Sequence, residues 1–233
     1  MSFAPGLAVT LAAALFAFAA ASPAVAAPPA VGDTFVYRVI NGYNSEVRGH
    51  LRYRVDAVHV DRVMITATSD TPFLGPPQTH SYTLEGNWLR HPLINHDQPV
   101  DYEFSPAYAA YEVPLDAGKS WSVSVDATAP VSGRRVSVRV DGAVAGSERI
   151  TVPAGTFDTI KVKRNVYAGD AVGFLMPTNI FETDWYAPAL GRPVRSEMKS
   201  EYIDTSRGGG KGTRWLRGDW IVMELTELNA AKP

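Results

Sequence analysis

Five histidines hold most of the chain's obvious potential for chemistry: His50, His59, His80, His91 and His96. His91 and His96-Asp97 form the one local cluster. Their five-residue step, in a Pro-interrupted stretch, fits neither the i, i+4 spacing of a helical zinc pair nor a Cys/His finger. A metal site completed by His80 is the alternative to the simpler reading, exposed loop imidazoles. Cysteine is absent, which removes thiolate metal sites, Fe–S clusters, cysteine nucleophiles and disulfides together. No G-x-S-x-G elbow occurs, and Ser120, Ser122 and Ser124 alternate as the solvent face of a strand would. Gly208-Gly209-Gly210-Lys211-Gly212-Thr213 lacks the GxxxxGK[ST] spacing and lies between strand-like runs, so it reads as a hairpin loop rather than a phosphate cradle. Glu182 and Asp184 share one strand face, an ordinary spacing on an exposed face, and Arg217-Gly218-Asp219 falls inside an alternating run. The sequence thus nominates no catalytic residue, no metal ligand and no cofactor. What remains is aromatic: Tyr102, Phe104, Tyr108 and Tyr111 lie within ten residues of one another. They are the candidate ligand-binding residues, as the lining of an apolar groove; cover for a packed core is the alternative.

The elements that must position these residues are strands. Apolar and polar residues alternate over 35–39, 51–57, 63–67, 82–84, 121–125, 136–140, 157–166, 181–186, 194–203 and 215–228. Because successive side chains of a strand point to opposite faces, such runs predict half-buried antiparallel strands. Turn residues separate them at His59-Val60-Asp61, Glu85-Gly86-Asn87, Ser132-Gly133, Pro153-Ala154-Gly155 and Pro188 to Pro193. Ser105-Pro106 is the one helix-like start, with Pro114 closing it after two turns at most. The pattern also recurs. Gly32, Phe35, Tyr37 and Val39 return 86 residues on as Gly118, Trp121, Val123 and Val125. Leu51, Tyr53, Val55 and Asp56 return 85 residues on as Val136, Val138, Val140 and Asp141. This predicts two related meander halves, about 31–91 and 117–228, joined through a Pro/aromatic segment at 92–117.

The chain of 233 residues carries 22 Lys+Arg against 24 Asp+Glu, a net charge of −2. That balance gives no basis for a nucleic-acid partner. Residues 1–26 contain no charged side chain, Leu7–Ala21 is almost unbrokenly apolar, and Ala24-Val25-Ala26 follows. The pattern is that of a secretory signal peptide over 1–26, with a single mature β-rich domain over 27–233 and no membrane span once the signal is removed. An uncleaved anchor is the alternative.

Three stretches carry a family resemblance. Val113-Pro114-Leu115-Asp116-Ala117-Gly118-Lys119-Ser120-Trp121 resembles a P-L-x-x-G-K-x-W strand entry. Residues Val152-Pro153-Ala154-Gly155-Thr156-Phe157-Asp158-Thr159-Ile160-Lys161-Val162 resemble a V-P-A-G-T-F-x-T-x-K-V hairpin, and Trp185-Tyr186-Ala187-Pro188 through Gly191 and Val194 resembles W-Y-x-P-x-x-G-x-x-V. Together they resemble the TapB-like bacterial envelope proteins of unknown function, over roughly residues 113–203. The resemblance implies a β-rich envelope protein related to curved-sheet lipoprotein folds. It supplies no catalytic residue, and the lipobox cysteine of many relatives is missing here.

The expectation is an all-β fold: a strongly curved antiparallel sheet, half-barrel-like and capped by segment 92–117, with a β-sandwich as the alternative. Functionally it is a periplasmic or secreted, non-catalytic binding or carrier protein for an apolar or lipid-like ligand or an envelope polymer. The alternatives are a structural or interaction protein of the envelope with a filled core, and an unrecognised hydrolase.

Overall fold

The computed structural model describes residues 29–93, 101–168, 178–204 and 214–231, apart from the side chains of Phe73 and Asp204. The expected signal segment, His96 and the Gly208–Gly210 loop lie outside these residues. Twelve strands follow in chain order: β1 (Thr34–Asn41), β2 (Val47–Val58), β3 (Val63–Ser69), β4 (Gln78–Tyr82), β5 (Trp88–Pro92) and β6 (Asp101–Tyr108), then β7 (Ser120–Thr128), β8 (Arg135–Val152), β9 (Gly155–Ala168), β10 (Thr178–Ala187), β11 (Arg192–Asp204) and β12 (Arg214–Asn229). Short 3₁₀ turns at Pro72–Leu74 and Pro188–Leu190 are the helical elements among the described residues.

Each strand pairs antiparallel with its neighbours in sequence, and β12 returns to β1, from Thr34 opposite Asn229 to Asn41 opposite Ile221. The sheet is a closed up-and-down barrel rather than the half-barrel expected, and neither is it a sandwich. Alternation announces which face of a strand is buried, but not whether the two outermost strands find one another. That is decided by accumulated twist and by the bulges that bend the wall, such as those at Val36/Tyr37 on β1 and Val144/Gly146 on β8.

Within segment 92–117, residues 101–108 form a wall strand rather than a cap. This is β6, whose Tyr102 and Phe104 alternate inward. The helix-like start at Ser105-Pro106 is therefore extended. Proline, which cannot donate to a ladder, sits just past the last β6–β7 pair, Ser105 with Asp126, beside the register break between Trp88 and Arg90 on β5.

The walls are apolar inward and charged outward. On β8, Val136, Val138 and Val140 are buried while Arg135, Ser137 and Arg139 face out; on β2, Leu51, Tyr53 and Val55 are buried between exposed Arg52 and Arg54. A membrane-spanning barrel shows the opposite arrangement, with an apolar outer band. The interior packs as two clusters. One gathers Tyr108, Val138, Val162 and Ile180; the other gathers Tyr37, Val55, Val194 and Leu225. Each such side chain stabilises the barrel by about 1.5–3 kcal/mol when fully buried.

Candidate functional site

Between these clusters the barrel keeps a cavity of about 180 Å³, lined by residues of both. Its walls are mostly aromatic and aliphatic, with Tyr53, Ile65, Trp88, Met198 and Ile221 among them, and it reaches Leu84, 49% exposed, in the turn between β4 and β5.

One side of the cavity is a buried ion cluster. β9 places Val162, Arg164 and Val166 on its inward face, and β10 places Ile180, Glu182, Asp184 and Tyr186 there. The charged residues occupy positions that alternation reserves for the core. Arg164 donates through Nε to Glu182 and through Nη2 to Asp184, both at 2.7 Å, and through Nη1 to the Ala110 carbonyl at 3.0 Å. Tyr108 donates to Glu182 at 2.8 Å, Tyr111 to Asp184 at 2.7 Å, and Ser196 to the second Asp184 oxygen at 2.7 Å. Burial opposes the Arg164 charge, but the Asp184 and Glu182 carboxylates outweigh it, so its pKa is raised. Burial, then the neighbouring carboxylate charge, pushes the Tyr108 and Tyr111 hydroxyls up, so both remain donors. The cluster is a set of charge-assisted bonds in the cavity wall, with three polar partners holding the guanidinium fixed.

A second guanidinium enters from the start of β11. Arg192 donates through Nε to the Tyr37 hydroxyl at 2.8 Å, which donates in turn to the Pro193 carbonyl at 2.7 Å. Its guanidinium carbon lies 4.1 Å from the Phe35 ring centre and 5.2 Å from that of Tyr53. Beyond it stand two imidazoles, His80 on β4 and His91 on β5, with ring centres 4.7 Å apart. His91 stacks on Trp88, which stacks on Tyr108. Burial pushes the His80 pKa down to about 2 and that of His91 to about 4, so both are neutral near pH 7. The 3.9 Å approach of His80 Nε2 to Asp101 is accordingly not an ion pair.

Of the four aromatics singled out in the sequence, Tyr111 lines the cavity, whereas Tyr102, Phe104 and Tyr108 pack in the adjoining core cluster. The exposed-face reading of Glu182 and Asp184 is overturned: they are 7% and 6% exposed. Likewise His80 is no loop imidazole, being 2% exposed in β4. Among the described residues, no three His, Asp or Glu side chains gather as a metal site. Sequence reasoning missed Arg164, Arg192, Tyr37 and Tyr53. For Arg164, Glu182 and Asp184 the signal was available: each stands in phase with the apolar residues of its own strand. Arg192, at a turn-to-strand boundary, gave none.

The DUF3108-like family matches the chain over residues 118–202, which includes the two hairpins noted above. Among solved structures, a Parabacteroides distasonis protein described as a lipoprotein is similar, with a TM-score of 0.52 and 17% identity over 87% of this chain and 97% of the other. So is a Bacteroides fragilis protein described as exported and YmcC-like in fold, with a TM-score of 0.50 and 16% identity over 87% of this chain and 97% of the other. These likenesses support the all-β fold. No curated protein matches the chain.

Proposed function

We propose that this chain is an exported, non-catalytic binding protein of the bacterial envelope, carrying a small apolar or amphipathic ligand inside its barrel. The cavity carries the reading: a closed, charged-out barrel retains a mostly apolar space of about 180 Å³ instead of filling it, although empty interior volume is destabilising. A space of roughly 150 Å³ lined by apolar groups takes up benzene, so a body of about six to eight carbons fits, smaller than a diacyl lipid. The charge-free, apolar segment 1–26 and the names of the two similar structures, one a lipoprotein and one exported, support the envelope assignment.

The test is binding of a neutral probe, 1-hexanol, followed by ligand-observed NMR. Burial of its methylenes predicts a Kd on the order of 1 mM or tighter. Ile65→Phe, which fills the cavity from its wall, abolishes the signal on this reading. A folded wild-type protein that leaves 1-hexanol unbound at 10-fold higher concentration, roughly 10 mM, overturns it.

A further inference from the structure

Every charged group of the cavity wall except one has its hydrogen-bonding partners in the protein. Asp184 accepts from Arg164, Tyr111 and Ser196, Glu182 accepts from Arg164 and Tyr108, and Glu197 pairs with Lys199 at 2.8 Å. Arg192 is the exception. Its Nε is held by Tyr37 and its flat face by Phe35, but among the described residues Nη1 and Nη2 meet no acceptor and no carboxylate lies within ion-pairing distance. Beside Arg192 the Tyr53 hydroxyl, on a residue 5% exposed, also has no partner and also lines the cavity. Burial keeps that hydroxyl protonated. Three donors on a rigid mount thus converge without a protein acceptor. Arg192 is half-buried and both residues line the cavity, so these donors face a space that a ligand with its own acceptor could enter.

We propose that Arg192 and Tyr53 receive the anionic head, a carboxylate or phosphate monoester, of a short amphipathic ligand whose apolar body fills the rest of the cavity. The proposal rests on the reading of the cavity as a ligand site and adds the class of ligand. A guanidinium fork suits such a head because two parallel N–H donors match two oxygens of one anion. The Tyr37 and Phe35 contacts fix the fork before the ligand arrives, so little ordering remains to be done on binding.

The experiment compares three probes on the full chain: sodium hexanoate (head and body), 1-hexanol (body alone) and acetate (head alone). Wild-type protein is expected to bind hexanoate at least 10-fold more tightly than either of the others. Arg192→Gln abolishes that preference, so that hexanoate binds it no more tightly than 1-hexanol does. Arg192→Lys restores part of it, and Tyr53→Phe, which removes only a hydroxyl, lowers hexanoate affinity several-fold. Should Arg192→Gln fail to fold, the Lys and Tyr53 variants decide. Equal affinities for hexanoate and 1-hexanol overturn the anionic head while leaving the cavity reading intact. Acetate binding as tightly as hexanoate overturns it too, since the body then plays no part. A preference that persists in both the Arg192 and Tyr53 variants places the anion elsewhere and overturns the assignment. Absence of binding by all three probes removes this proposal and the cavity reading together.

Discussion

Arg164 occupies a position in β9 where another valine would continue the pattern, so its charge has to be met inside the barrel. Glu182 and Asp184 meet it from the next strand, and Tyr108, Tyr111 and Ser196 add further donors to the two carboxylates. Removing the cation leaves two carboxylates desolvated and facing each other. Arg164→Met should therefore destabilise the protein by about 3–5 kcal/mol, read as a shift in urea midpoint. The triple replacement of all three charged residues by apolar ones of similar volume should recover most of that loss. If Arg164→Met proved neutral, the cluster would be ornament rather than support. The two buried imidazoles give a pH prediction. Their native pKa values, about 2 for His80 and about 4 for His91, lie below the unfolded value of about 6.5. Below pH 6.5 the unfolded chain takes up protons that the native state refuses, so stability falls as pH drops. Each histidine costs about 1.4 kcal/mol per pH unit, down to about pH 4 for His91 and further for His80. Groups around them include Arg90, Arg192, Arg164 and Tyr82, with Asp101 acting in the opposite sense because burial raises its pKa. His80→Phe should lower the acid slope of unfolding free energy between pH 6 and 5 by about 1 kcal/mol; parallel slopes would show that His80 titrates normally.

At the scale of elements, the close approach of Trp121 to Gly142 shows why β7 and β8 carry the residues they do. The two face each other across the ladder, and a Cβ on Gly142 would lie 2.0 Å from the indole ring. Trp121 is fixed there by its Nε1 bond to the Ala109 carbonyl at 3.0 Å, so the ring has little freedom to retreat. Gly142→Val should cost on the order of 1–3 kcal/mol and alter the near-ultraviolet circular dichroism of the tryptophans; a variant with an unchanged spectrum and thermal midpoint would mean the ring moves freely. The sequence displayed much of this level. Nine of its ten alternating runs fall inside or largely inside the observed strands, and the turn at Pro153-Ala154-Gly155 holds Gly155 at a φ of +141° as a tight reversal between β8 and β9 requires. What it hid has physical causes. The run at 82–84 preceded a turn rather than continuing a strand, because β4 ends at Tyr82. β5 is five residues long with histidine, arginine and proline among them, too short and polar to alternate. β6 carries a proline that local rules assign to a helix start, and pairing across the barrel overrides them. The site was hidden for a related reason: charges at inward positions resemble breaks in a pattern until the partner strand supplies the opposite charge.

Closure of the whole molecule sets what the interior can hold. In an open half-barrel an apolar ligand would lie along a groove, and each added methylene would find more wall to cover. Here β12 seals against β1 along eight residues of β1, from Thr34 to Asn41, and the enclosed space is about 180 Å³. A ligand headed at Arg192 can extend until that space is full, and further chain has to reach solvent, for which the exposed lining residue Leu84 marks one way out. The affinity of a straight-chain series, from butanoate to dodecanoate, should therefore have two regimes. Each methylene should add about 0.8 kcal/mol, close to fourfold in Kd, while it is being buried. Beyond about eight carbons, the number a cavity somewhat larger than a benzene-sized one accommodates, the gain per methylene should fall to near zero. Isothermal titration across the series locates the break, and Leu84→Trp, narrowing the exit, should move it to shorter chains while leaving butanoate unaffected. An affinity that climbs steadily through dodecanoate would show that the wall parts to admit longer chains, and that closure does not limit the ligand.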